Sequence, residues 1–556
     1  MNTKKITEEF AVAEQLTVTD VEILAEQGVK SLICNRPDNE ADNQVNFADI
    51  EAEAQRHGMQ VRYQPVVSGK IEDADVTQFA NELTQLPSPV VAYCRTGTRS
   101  ITLWALGQKN KGVPVKQLLA TAQQAGYDLA AVLSPESAST SATTPSQHFK
   151  VVIIGAGSGG ISVAASLLKR QPGLQIAIID KAEKHYYQPG WTMVGGGVFH
   201  AADTQRDTAS LIPSGVEWIQ KAAQEFSPEN NQVTLDDGSI VSYDQLIVAC
   251  GIKLNWEGIE GLVDTLGENG VTSNYRFDLA PYTWKLVQGL RSGKAVFTQP
   301  PMPIKCAGAP QKAMYLSADH WHRNGTLKAI DIQFYNAGGV LFGVKEYVPA
   351  LMKYIEKYHA QLNFNHRLCK VDGEAKTAWF EKTDAEGNKE IVSSEFDMLH
   401  VCPPQQAPDF IRSSPLADDA GWVDVDQGSL RHKRFENVWS LGDVMNAPNA
   451  KTMAAARKQA PVVAHNVLSA LGVTQGVALY DGYGSCPLTV ERGKIVLAEF
   501  GYGGKLLPSF PSWLINGQEA SRLAWLLKKD LLPPIYWNAM LKGREWMVKP
   551  NPQSGQ

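Results

Sequence analysis

Apolar residues follow two rhythms along this chain, and their alternation divides it into parts. Within residues 1–132, short apolar runs at 31–34, 61–66 and 90–93 alternate with segments at 19–27, 47–57 and 73–86 where apolar side chains recur every three or four positions. Short runs fit strands and the longer period fits helices, so this part predicts a small α/β domain with a parallel sheet. Residues 133–147 include SPESASTSATTPSQ, which lacks any large apolar side chain and reads as a flexible linker. At 151–154 four β-branched residues in succession predict a strand buried on both faces, and a similar run ends at Ile179. A long α/β body is expected over 148–516. From 517 onward, Leu523, Leu526, Leu527 and Leu531 share one helical face with Arg522, Lys528 and Lys529 off it.

Composition narrows the function. At 556 residues the chain exceeds what a single core serves, and 44% hydrophobic with 20% charged residues is ordinary for a globular protein. A net charge of −6 argues against nucleic acid as the main partner, because phosphate binding needs a basic footprint. The start, MNTKKITEEF, has no apolar stretch behind its lysines, and no window of about 18 apolar residues follows anywhere. A cytoplasmic location without a spanning helix is the expectation. Seven cysteines spread along such a chain imply reduced thiols or redox chemistry instead of a disulfide scaffold. No metal site is assigned.

Two motifs carry chemistry. In VVIIGAGSGG, Gly155, Gly157 and Gly160 stand at the G-x-G-x-x-G spacing where a strand turns into a helix. Asp180 closes the second strand, where an acid takes ribose hydroxyls. Strand, turn, helix, strand and acid in register predict a dinucleotide site with the diphosphate at the helix N-terminus. In VVAYCRTGTRS a strand delivers Cys94 to a loop that ends at Arg99, with four residues between them. Loop N–H groups, a helix start and a guanidinium around a thiol make an anion cradle about a nucleophile, expected to be a thiolate near neutrality. Asp73 and Asp75 open a helix and read first as caps, second as general acids.

The N-terminal part, with GVKSLICNRPDNE and the Cys94 loop, resembles the protein-tyrosine-phosphatase-like family called β-lactamase-hydrolase-like. Phosphatases of that fold carry five residues between Cys and Arg, whereas four match the rhodanese loop. That favours sulfur transfer through a Cys94 persulfide, with a phosphatase joined to a redox flavoprotein as the alternative. The body resembles the flavoprotein disulfide reductases, which have two dinucleotide-binding (Rossmann-like) domains. The resemblance rests on HYYQPGWTMVGGG, YDQLIVACG and NVWSLGD, and implies FAD held by a set that includes Gln188, Gly251 and Asp443. In such relatives a second glycine turn binds a nicotinamide, but here YNAGGVLFG breaks the spacing, so electrons are expected from another donor.

Residues 148–545 are similar, more closely, to sulfide:quinone oxidoreductases of the mitochondrial-type branch, through PMPIKCAGAPQKAMYLS, DMLHVCPP, LGDVMNAPNAKTMAAA and YDGYGSCPLTV. The resemblance implies that Cys402 receives sulfide and becomes a persulfide, that Cys306 is the thiolate facing the flavin, and that Lys451 lies near the flavin ring. Cys486 falls within a shared stretch without an assigned role, and Cys34, Cys250 and Cys369 read as structural. Sulfide, a quinone and a small thiol such as glutathione are the implied partners, with homo-oligomers possible. The tail, where Lys and Arg outnumber Asp and Glu six to three over 517–550, suits peripheral contact with the inner face of a membrane.

Overall fold

The computed structural model describes residues 3–38, 40, 44–67, 71–127, 129–133, 147–448, 450–550 and 552–553. The chain forms two compact units, residues 1–145 and 146–556. The expected linker lies almost wholly outside the described residues.

In the first unit a five-stranded sheet runs in the order Thr3–Lys5, Phe10–Ala13, Val90–Tyr93, Ser31–Cys34, Gln60–Tyr63. All neighbours are parallel except the outermost first pair. The central strand Val90–Tyr93 is buried on both faces, with Val90 and Ala92 in one cluster and Val91 and Tyr93 in the other. That is why it reads as an unbroken apolar run. Helices fall at Val18–Glu26, Phe47–Arg56 and Asp73–Gln85, each within a residue of its expected bounds. Asp75 closes a capping box by accepting from the Glu72 N–H at 2.9 Å, so the acid at this helix start serves as a cap.

The second unit is built on two sheets. The first runs Val216–Ile219, Ile176–Ile179, Gln147–Ile154, Ile240–Val248, Gln232–Leu235, Ala223–Ser227, with Val438–Ser440 also paired to Ile240–Val248. The glycine turn therefore leaves the middle of the parallel part of this mixed sheet. The second sheet, Val271–Thr272, Met398–His400, Gly293–Gln299, Ile330–Asn336, Gln361–Phe364, is parallel throughout. Its own strand-to-helix turn is filled: Leu341 and Phe342 are buried in the core, and Gln311 donates to the Leu341 carbonyl. Side chains occupy the place where a second diphosphate needs bare backbone.

The C-terminal segment folds back on this unit. Helix Arg522–Leu526 widens into a π-helical turn, Leu527–Leu531, before helix Leu532–Asn538. The extra residue in that turn breaks the single apolar face expected from the sequence. Leu527 and Lys528 turn inward, while Leu523, Leu526 and Leu531 stay about half exposed. Further on, the Tyr536 hydroxyl meets Ser158 Oγ at 2.8 Å and His185 Nε2 at 2.5 Å, and Glu545 takes both Arg170 nitrogens at 2.5 and 2.8 Å. The tail thus clamps the dinucleotide helix Ser158–Arg170 at both ends.

Candidate active site

A cavity of about 780 Å³ runs through the second unit from the glycine turn to the C-terminal segment. Gly155 adopts φ 105°, and a methyl group on Gly160 would stand 1.8 Å from the Gly155 carbonyl oxygen, so neither position admits a side chain. Gly157 faces the cavity with nothing within 4 Å of where a Cβ would lie. Asp180 lines the same end and accepts from the Ala156 and Ala182 N–H groups at 2.6 and 2.8 Å, bracing the turn. Gln188, Gly251, Asp443 and Lys451 also reach the wall. Lys451 is 6% exposed and donates to the Asp443 and Met445 carbonyls at 2.7 and 2.8 Å; burial pushes its ammonium down to about 8. Burial raises the Asp443 carboxyl, with Lys305 and Lys451 pulling against it. Lys305 bonds the Gln188 side-chain oxygen.

Next to this wall stands a pair of thiols. Cys306 Sγ lies 3.6 Å from Cys486 Sγ and 3.1 Å from Lys312 Nζ. Cys306 occupies a turn just before helix Ala309–Arg323, at φ 52°, its N–H held by the Lys451 carbonyl at 2.8 Å. Lys312 follows one helical turn later and points back at it. Cys486 comes from the antiparallel hairpin Gly484–Glu491 and Lys494–Phe500. Side chains alternate along it: Cys486, Leu488, Val496 and Ala498 pack in the core with helix Ala309–Arg323, whereas Ser485, Pro487, Leu497 and Glu499 line the cavity.

The two thiols share one proton unequally. The Cys486 thiol donates to Cys306 and holds it well below the ordinary thiol range against the effect of burial, with Lys312 and Lys528 adding to the shift. Cys486 is correspondingly held well above that range, first by Cys306 and then by burial. Burial pulls Lys312 down, but the two sulfurs outweigh it and keep its ammonium above the usual value. Lys528, 4% exposed and carried in by the π-helical turn, is pushed down to about 7 by burial and then by repulsion from Lys312. Both shifts favour the thiolate at Cys306 and the thiol at Cys486.

This geometry revises the expected pairing. Cys402 shares a small apolar cluster with Cys306, Tyr275 and Ile304, but its sulfur is hydrogen-bonded to Gln405 Nε2 at 3.8 Å and to Tyr275. Burial pushes its thiol up to about 12, so it is a poor nucleophile. The sulfur in contact with Cys306 is that of Cys486. Strand pairing brings Cys486 there across 180 residues, and neither Cys486 nor Lys528 has a local signal that announces it. In the first unit the Cys94 loop joins strand Val90–Tyr93 to helix Thr98–Asn110. Gly97 takes φ 84° to start helix Thr98–Asn110, and Cys94 is 1% exposed beside Arg99. Arg99 is already engaged: Glu40 accepts from its two terminal nitrogens at 2.9 and 2.8 Å, and the Val66 carbonyl from one of them at 2.9 Å.

Known proteins agree with this division. Residues 2–111 match the family model described as beta-lactamase hydrolase-like protein, phosphatase-like domain, and residues 149–292 match pyridine nucleotide-disulphide oxidoreductase. Over 401 residues the chain is 40% identical to the mitochondrial sulfide:quinone oxidoreductase of Mus musculus, covering 72% of this chain and 88% of that one. The Dictyostelium discoideum protein of the same name is 41% identical over 404 residues, covering 72% and 87%. The chain belongs to the sulfide:quinone oxidoreductase family. The solved sulfide:quinone oxidoreductase of Aquifex aeolicus shares the fold, with a TM-score of 0.59 at 20% identity over 72% of this chain and 92% of that one. FAD is the cofactor of this family member. The cavity fits it: besides the open Gly157 wall, Trp191 Nε1, Thr192 Oγ1 and the Asn274 amide line the cavity with buried polar atoms that find no protein partner.

Lys312→Met removes the cation nearest the Cys306 sulfur, so less thiolate is present at any given pH. Mass spectrometry of the Cys306 peptide after iodoacetamide pulses should show its alkylation midpoint moved to higher pH. Lys528→Met should move it in the same direction.

Proposed function

We propose that the chain oxidises sulfide at the Cys306–Cys486 pair and passes the electrons to a quinone. The 3.6 Å contact between the two sulfurs carries this reading. In the oxidised form the pair is a disulfide. Hydrosulfide bonds to Cys486 Sγ while the electron pair of the S–S bond leaves on Cys306, because the thiol of lower pKa is the better leaving group. Lys312 neutralises the charge that arrives on Cys306, and Lys528 holds a second positive charge below about pH 7 near the incoming anion. The persulfide sulfur on Cys486 is then taken by a small thiol such as glutathione. Bound FAD supplies two-electron acceptor and donor chemistry between the thiolate and the quinone. Gly155, Gly157 and Gly160 give its diphosphate bare backbone, Asp180 stands at the ribose end, and Gln188, Gly251, Asp443 and Lys451 flank the rest.

Apolar side chains at the far end of the cavity and on the adjacent surface suit a quinone carried in lipid. Among the described residues no helix is long and apolar enough to cross a membrane. Trp513 is 83% exposed, and Leu523, Leu526 and Leu531 stand out beside it in sequence, so we assign this face to peripheral membrane contact. Trp513→Ser with Leu526→Ser should lower liposome co-sedimentation while sulfide still bleaches the flavin; unchanged sedimentation would remove this assignment.

For the first unit we favour sulfur transfer through Cys94. The Glu40 carboxylate holds the guanidinium fork that a phosphoryl group would need, whereas a persulfide sulfur needs only loop N–H groups. Cys94→Ser should leave sulfide-dependent quinone reduction intact and change the sulfur products resolved by mass spectrometry. Identical products, with aryl phosphate hydrolysis lost in the same variant, would favour the phosphatase alternative.

Cys306→Ser and Cys486→Ser should each keep FAD and lose sulfide-driven bleaching of the flavin, by about 10²-fold or more, since neither can form the disulfide. Cys402→Ser should retain most of the wild-type rate. Loss of bleaching in Cys402→Ser with retention in Cys486→Ser would restore the pairing expected from the sequence.

A further inference from the structure

Opposite the thiol pair, the same hairpin carries a second arrangement of titratable groups. Glu499 is 4% exposed and pairs across the strands with Ser485, one residue from Cys486 but on the other face. Its Oε1 accepts from the Tyr483 hydroxyl at 2.6 Å and its Oε2 from the Ser509 N–H at 3.0 Å. Tyr483 Oη also lies 3.2 Å from Ser509 Oγ. The Tyr347 hydroxyl bonds both the N–H and the carbonyl of Glu499, which fixes its backbone. Among the described residues Glu499 has no cation within ion-pair distance. Burying an acidic side chain without a counter-ion detracts from stability, so packing does not account for it.

The other charged groups near it lead outward. From helix Met453–Ala470, Lys458 places Nζ 3.8 Å from the Tyr483 ring centroid and 3.9 Å from the exposed Asp481, and Arg457 faces Tyr483. Glu346 lies behind Tyr347. Inward, Tyr483, Glu499 and Ser509 share the cavity wall with Leu506, Leu507 and Phe510. An apolar pocket with a few polar groups at one place suits a molecule that is apolar apart from its carbonyl oxygens.

We propose that Glu499 and Tyr483 form the proton relay that converts quinone to quinol, with Glu499 acting through the Tyr483 hydroxyl. This rests on quinone as the electron acceptor. Two electrons from sulfide oxidation reach the quinone, and each of its two oxygens must gain a proton. Glu499, protonated from the aqueous side past Asp481 and Lys458, gives its proton to Tyr483 Oη as the Tyr483 O–H bond breaks toward a quinone oxygen. Tyr483 is neutral before and after, and Glu499 is left as a carboxylate. Water then reprotonates Glu499, and the oxygen at the other end of the quinone takes its proton from water directly, which balances two electrons with two protons. Tyr483 is the group that touches the quinone; Glu499 is the residue that recharges it.

The test uses the FAD-loaded full chain as wild type, Tyr483→Phe, Glu499→Gln and Glu499→Asp. Anaerobic stopped-flow measurement reads two steps separately: flavin bleaching by sulfide, and flavin recolouring by either a short-chain ubiquinone analogue or ferricyanide, which takes electrons without protons. Bleaching and ferricyanide recolouring should hold near wild-type rates in all variants. Recolouring by the quinone should slow about 10²-fold or more in Tyr483→Phe and Glu499→Gln, with proton uptake reported by an indicator dye slowed in step. Glu499→Asp should recover part of the rate. Quinone recolouring at the wild-type rate in Tyr483→Phe and Glu499→Gln would overturn the relay, and so would an equal loss with ferricyanide, which marks damage to the site. The wild-type half-reactions test the underlying reading separately: a flavin that sulfide does not bleach, or quinone does not recolour, would fail that reading before the variants are compared.

Discussion

The contact between Cys306 and Cys486 is the constraint on which the site depends. Two sulfurs 180 residues apart meet at 3.6 Å because a hairpin is registered against a helix, and because Lys312 lies one turn into that helix. A lone buried thiol would stay protonated and inert. Here the proton is held by Cys486 and a lysine faces Cys306, so one sulfur is ready to leave as thiolate. A shift of one residue in the hairpin would turn Cys486 into the cavity and Glu499 into the core, since side chains on a strand alternate in direction. The strand register therefore fixes the thiol chemistry and the polar wall opposite it together.

The C-terminal segment is a structural part of the oxidoreductase and also carries exposed apolar side chains. Its π-helical turn sends Lys528 toward the thiols while leaving Leu526 and Leu531 outside. Tyr536 and Glu545 then anchor the segment to the ends of the dinucleotide helix. One stretch of chain thus closes the cavity, adds charge to the site and presents the face assigned to the membrane.

In the first unit the arginine of the cysteine loop is paired within the protein. Arg99 is held by a carboxylate from another loop, and Glu40 is shared with Arg36 at 2.7 Å. Two guanidinium groups on one carboxylate hold Glu40 ionised, with its carboxyl below the ordinary range against partial burial. Arg99 and Glu40 brace the loop from the side, and Cys94 is buried.

The sequence by itself determined the parts whose signals are local. Apolar period, glycine spacing and turn residues fixed the dinucleotide turn, the central strand ahead of Cys94 and the helix caps, because each depends on backbone conformation within a few residues. It also showed that the second glycine turn is broken, since bulky residues in such a turn are visible without a fold. Cys306 was marked by the resemblance that its stretch carries, but Cys486, the sulfur that meets it, was given no role there. The resemblance marked Cys402 as well, and only the tertiary structure brings Cys486 into contact with Cys306, through strand pairing and side-chain alternation. The same holds for Lys528, whose direction depends on one extra residue in a helical turn, and for Glu499, whose burial and hydrogen bond to Tyr483 belong to the folded hairpin. Local pattern determines conformation; which distant side chains meet is set by register between elements, and no short stretch of sequence records it.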